Sequence, residues 1–106
     1  MTVEKKGNIA YLMVISGRKQ KDDLLKFLTE MGATVVNISY GKGSVKSSSP
    51  LTEVFGFVPE EDKVILTGLI SHDKANDVIN MLEKVFDFNK ANTGIAFSVS
   101  VDCLSF

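Results

Sequence analysis

Asn8-Ile9-Ala10-Tyr11-Leu12-Met13-Val14-Ile15-Ser16 is the stretch that decides the fold. Its apolar run, Ile9 to Ile15, is too short for a good helix and stops at Ser16-Gly17, so it reads as a strand buried on both faces. A helix follows over Lys19–Met31, with Leu24, Leu25, Phe27, Leu28 and Met31 at helical spacing and Gly32 as its stop. Val35, Val36 and Ile38 mark a second strand over Ala33–Tyr40. The same order then returns. Lys63–Ile70 reads as a strand interrupted at Thr67-Gly68. Asp73–Phe86 reads as a helix with a stripe of Ala75, Val78, Ile79, Leu82, Val85 and Phe86, capped by Ser71 or Asp73. Gly94–Val101 closes the series as a strand. There Ile95, Phe97, Val99 and Val101 face one way, and Ala96, Ser98 and Ser100 the other.

Two strand-helix-strand units in succession, each with a right-handed crossover, predict an α+β ferredoxin-like βαββαβ sandwich. The first and third strands are apolar throughout, as central strands are; the second and fourth are mixed, as edges are. The predicted antiparallel sheet order is therefore 4-1-3-2, with both helices on one face. Leu12 and Val14 cannot share a face with Tyr11, Met13 and Ile15. One of those sets lies on the side without helices, where water contact would leave a large apolar patch. The bare face is expected to be covered in a homo-oligomer; the alternative cover is the termini or the 41–59 segment.

A chain of 106 residues that is 44% hydrophobic suits one domain, 1–106, with one core. A net charge of −1 argues against non-specific nucleic-acid binding, which needs a basic field. The single cysteine, Cys103, excludes an intrachain disulfide and a Cys-rich zinc site. His72 is the sole histidine, so no histidine triad or multi-histidine metal site forms within one chain, and it reads as a surface residue near a helix cap. Met1–Gly7 lacks the apolar segment of a secretory signal, and no apolar run has membrane-spanning length. A cytoplasmic protein is the expectation.

Between the two units lies a 41–62 connector. Ser49 and Pro50 suit the start of a helix, and Leu51, Val54 and Phe55 recur at helical spacing, so a short helix is predicted from Pro50 to Phe55 or Gly56. Before it, Gly41-Lys42-Gly43-Ser44-Val45-Lys46 combines glycines that allow close backbone approach with lysines that supply charge. Such a segment can hold a phosphate or carboxylate. It has neither Walker-loop spacing nor a dinucleotide fingerprint, and flexible polar connectors share its composition.

The repeated halves, the connector and the phrase Asn92-Thr93-Gly94-Ile95-Ala96-Phe97 resemble the PII-like signal-transduction proteins, above all the small divergent branch of nitrogen-regulatory PII-like proteins. Gly41-Lys42-Gly43-Ser44 is similar to that branch's Gly-Arg/Lys-Gly-Thr/Ser motif. Leu51-Thr52-Glu53-Val54-Phe55-Gly56 and Glu61-Asp62-Lys63-Val64 resemble its short helix and the start of its third strand. The resemblance spans about Ile9 to Val101. It implies a homotrimer with sheets turned inward, ligand clefts between subunits and a signalling loop over 41–62. It implies ligand-binding roles for Gly41, Lys42, Gly43 and Ser44, and for Lys90, Asn92, Thr93 and Gly94 in the loop before the fourth strand. ATP or ADP is the ligand in the longer PII proteins, and a protein partner, soluble or membrane-embedded, is contacted by the loop.

The chain departs from the longer pattern in several places. The phosphate-reaching lysine position just after Gly94 is Ile95 here, the C-terminal phosphate-binding arginines are not matched, and no tyrosine lies between Gly41 and Lys63. The implied regulator therefore takes ATP, ADP, another nucleotide or another small anion, or acts as a protein-interaction module with no small ligand. An enzyme reading has less support. Arg18 and Asn37 invite comparison with ferredoxin-like acylphosphatases, where a guanidinium holds the phosphoryl group and an amide orients water. The Gly-x-Val-Gln-Gly motif of those phosphohydrolases is absent, and the reading favoured is a non-enzyme with no catalytic residue and no metal site.

Overall fold

The computed structural model describes residues 3–4, 8–43, 61–90 and 93–105. The short helix expected over Pro50–Gly56 lies outside them, as do Ser44 and Asn92. Strand β1 is Val3–Glu4, and β2, Ile9–Gly17, holds the apolar run from Ile9 to Ile15. A 3-10 turn over Arg18–Gln20 leads into α1, Lys21–Glu30. β3 is Thr34–Gly43, β4 is Glu61–Ser71 and α2 is His72–Val85. β5, Gly94–Ser100, and β6, Leu104–Ser105, follow.

The main sheet is antiparallel with order β3-β4-β2-β5. Counted over its own strands that is 2-3-1-4, which is 4-1-3-2 read from the other edge, as the sequence predicts. β2 alternates strictly between buried and half-buried positions. Ala10, Leu12 and Val14 point to the helices, with Val64, Leu66 and Ile70 of β4 beside them. Leu24 and Leu28 of α1 and Ala75, Val78 and Leu82 of α2 close that layer. Each such buried large aliphatic side chain contributes about 1.5–3 kcal/mol. Phe27 and Phe86 meet edge to face at 5.5 Å, locking the two helices together where α2 ends.

The opposite sheet face is also apolar. The ladder places Tyr11 between Leu69 and Val99, and Met13 between Thr67 and Phe97. Ile15 lies between Ile65 and Ile95. Phe97 is 42% exposed and Val99 54%, so these side chains are not covered by the described part of the chain. The β3 side of this face is polar instead, carrying Asn37 and Ser39, whose side chains hydrogen-bond at 2.7 Å. The termini meet as a separate two-stranded ladder, β1 with β6.

Gly32 ends α1 with φ +93°; its N–H bonds the Thr29 carbonyl and the Ala33 N–H bonds Leu28, a Schellman stop that releases the chain into β3. Ser71 takes the N-cap position of α2, but its hydroxyl makes no capping bond. The His72 N–H is satisfied by the Asn8 carbonyl at 3.0 Å instead. Val85 departs from the expected stripe: it stands 57% exposed at the last turn of α2.

β4 is not interrupted at Thr67-Gly68. The irregularity belongs to its neighbour. Val35 opposes Gly68 and Asn37 opposes Thr67, so Val36 is an extra residue, bulged out and 56% exposed. The bulge presses β3 onto β4. A Cβ on Gly68 would lie 2.7 Å from the Thr34 carbonyl oxygen, which is why a glycine sits mid-strand.

Candidate functional site

The two segments singled out in the sequence come to the same end of the sheet. Gly41 opposes Lys63, Lys63 opposes Gly17, and the neighbouring Ser16 opposes Gly94. Gly41, Lys42 and Gly43 end one edge strand, and Thr93-Gly94 opens the other. Three strand spacings separate the edges, on the order of 14 Å. One chain therefore brings the two sets to one end without gathering them into one pocket.

The loop before β5 is built around Asp87, which adopts φ 59°, a left-handed conformation rare for a residue with a side chain. The Asp87 carbonyl accepts from the Lys90 N–H at 2.9 Å and from the Thr93 hydroxyl, which also lies 2.8 Å from the Lys90 carbonyl. Ser16, buried on the core side of β2, donates its hydroxyl to the Thr93 carbonyl at 3.1 Å. The Lys90 ammonium pairs with the Asp87 carboxylate at 3.6 Å and lines a cleft beside α2 with Asn80, Glu83 and Lys84. Thr93 faces a different cleft. Lys90 and Thr93 are thus close in sequence but turned apart, and the Lys90 ion pair is a weak, exposed one.

Gly94 and Gly41 are glycines for different reasons. A Cβ on Gly94 would lie 2.5 Å from the Phe88 ring, so this glycine makes room for an aromatic side chain of its own chain. Among the described residues nothing lies within 4 Å of where a Cβ on Gly41 would stand. Between Gly41 and Gly17 on the ladder, Lys63 is only 6% exposed. Lys42 and Gly43 continue the ladder against Asp62 and Glu61.

A cleft of about 670 Å³ opens at this sheet end between the 3-10 turn and the end of α2. Gly17, Arg18, Lys19, Asp62, Asp87 and Thr93 line it, so among the described residues Thr93 is the one expected site residue that reaches it. Arg18 enters the sequence reading only through the acylphosphatase comparison. It is exposed, but its guanidinium carbon lies 4.8 Å from the centre of the Tyr40 ring. Lys21 lies beside Tyr40 and pairs with the Asp22 carboxylate at 3.4 Å, and these neighbours raise its pKa above the ordinary lysine value. The signal in the sequence was the basic run around Gly17; its partner, Tyr40, comes from the edge strand. The acylphosphatase pair is not assembled. Asn37 lies on the open sheet face with Ser39, while Tyr40, which engages Arg18, is on the helix side. Among the described residues no group of His, Cys, Asp and Glu converges as a metal site, and no helix is long and apolar enough to cross a membrane.

No family model matches this sequence, and no curated protein matches it either. Solved structures do match in fold. CPII from Thiomonas intermedia K12, bound to ADP, AMP and acetate, superposes with a TM-score of 0.65 at 15% identity, over 97% of this chain and 94% of its own. A protein from Thermus thermophilus described as PII-like in signalling gives 0.63 at 13% identity, over 95% and 92%. GlnK of B. subtilis, in complex with ATP, gives 0.62 at 14% identity, over 93% and 86%. The fold is therefore PII-like: an antiparallel sheet of this strand order with two helices on one face.

Proposed function

We propose that this protein is a cytoplasmic PII-like regulator. Copies of the chain, three in number, pack through the apolar face carrying Tyr11, Met13, Ile15, Phe97 and Val99. A small anion or nucleotide then binds at the seams between subunits. Gly41, Lys42, Gly43 and Ser44 of one chain face Lys90, Asn92, Thr93 and Gly94 of the next. The 41–62 connector carries the bound state to a partner protein. The observation that carries this reading is the placement of both segments at one sheet end but on opposite edge strands. Gly41 adds to it: the described part of its own chain needs no glycine there, and an approaching ligand or neighbour would. The likeness to CPII with ADP and AMP, and to GlnK with ATP, makes nucleotides the first ligands to try.

A thermal-shift screen with ATP, ADP, AMP, cyclic nucleotides, bicarbonate and divalent ions tests it. The expected result is a saturable stabilisation by at least one anion, lost in Lys42→Ala or Lys90→Ala. Absence of any shift, with a pull-down partner lost on deletion of 44–49, would instead make the chain an interaction module without a small ligand.

A further inference from the structure

A second cleft, about 420 Å³, lies beside the first and is lined by Arg18, Lys19, Lys21, Asp22 and Tyr40. We propose that it binds a compact polyanion of the phosphate or pyrophosphate type, at a site separate from the 41–44 and 90–94 segments. The cations are already in place. The Arg18 guanidinium is held over the Tyr40 ring, a contact that restrains it beside the cleft. Lys21 lines the same cleft as Tyr40 and is steadied by its pairing with Asp22. Among the described residues neither Arg18 nor Lys19 has a carboxylate partner.

Charge selects this cleft over its larger neighbour. Both share Arg18 and Lys19, but the larger one adds the carboxylates of Asp62 and Asp87. The smaller has one acid, Asp22, which is 90% exposed and engaged with Lys21. Three cations against one paired carboxylate favour a ligand with several negative oxygens, because each charge-assisted hydrogen bond uses a fixed donor.

The protein carries its own reporter. It has no tryptophan and two tyrosines, so Tyr11→Phe leaves Tyr40 as the only strong fluorophore. Sodium pyrophosphate titrated into this variant at constant ionic strength is expected to change Tyr40 emission saturably. Arg18→Ala and Lys21→Ala are each expected to weaken that affinity at least tenfold, and Lys74→Ala, an exposed lysine of α2 away from this cleft, to leave it within twofold. Calorimetry of pyrophosphate binding to the wild type and Arg18→Ala gives the same comparison without the Tyr11 change. An emission change that matched sodium chloride reproduces, or an affinity indifferent to Arg18→Ala, overturns the site. Loss in Lys42→Ala with retention in Arg18→Ala would move the anion to the subunit seam and overturn this inference while supporting the one above.

Discussion

The buried hydroxyl of Ser16 donates to the carbonyl of Thr93 across the junction of β2 and the β5 loop, 3.1 Å apart. That bond fixes the loop from the sheet side, while the Thr93 hydroxyl fixes it from the Asp87 and Lys90 carbonyls. Ser16→Ala removes the only side-chain donor to Thr93 that the described residues supply. The expected cost is about 1 kcal/mol in urea unfolding, together with faster amide exchange of Thr93 and Lys90. Unchanged stability and exchange would show that the loop is held by its turn alone.

Gly94→Ala sets a methyl against the Phe88 ring. Overpacking of this kind costs about 1–3 kcal/mol. Trimming the ring with Phe88→Leu in the same chain is expected to recover part of the loss, so the two changes are non-additive. Additive costs in a double-mutant cycle would place the strain elsewhere. For the same reason a bulky residue at Gly94 disturbs the fold before it reports on any ligand, and Lys42→Ala is the cleaner probe of the seam.

Gly68→Ala meets backbone rather than a side chain, 2.7 Å from the Thr34 carbonyl oxygen. The strand or the bulge must shift, and the loss is expected to exceed that of Gly94→Ala. No side-chain trimming at Val35 rescues it. Thermal melts of Gly68→Ala, Gly94→Ala and Gly68→Ala with Val35→Ala decide the ranking.

Phe97 lies on the face without helices, 42% exposed in the single chain. Phe97→Glu is therefore compatible with the folded subunit but not with a dry contact between copies. Light scattering at micromolar concentration is expected to read an oligomer for the wild type and a monomer for the variant, with the same far-UV spectrum. A monomeric wild type would remove the subunit seam and with it the proposed ligand site.

The elements were legible because their signals are local. Ile9 to Ile15 can only be a strand, Leu24 and Leu28 repeat at helical spacing, and Gly32 stops α1 by its own backbone freedom. What was misread is non-local. Gly68 looks like a break when seen alone, yet it answers a bulge on another strand. Val85 fits the stripe by spacing, but it is exposed in the last turn, where the helix leaves the core. Of the site, the Gly41 and Gly94 segments were marked by composition and motif, and the ladder brings them to one end of the sheet. The Arg18–Tyr40 contact was hidden, because a cation–π pair between a turn and an edge strand leaves no spacing to read.

The extra residue at Val36 has a consequence for life in a crowded cell. β3 is a long outer strand, and a flat one would offer its free amides as a template for endless chain-on-chain zipping. The kink breaks that template partway along, so foreign strands cannot run the full edge in step. A version of the chain with Val36 deleted and Gly68 replaced by valine would have a straighter margin, and we expect it to form fibrils where the natural sequence does not.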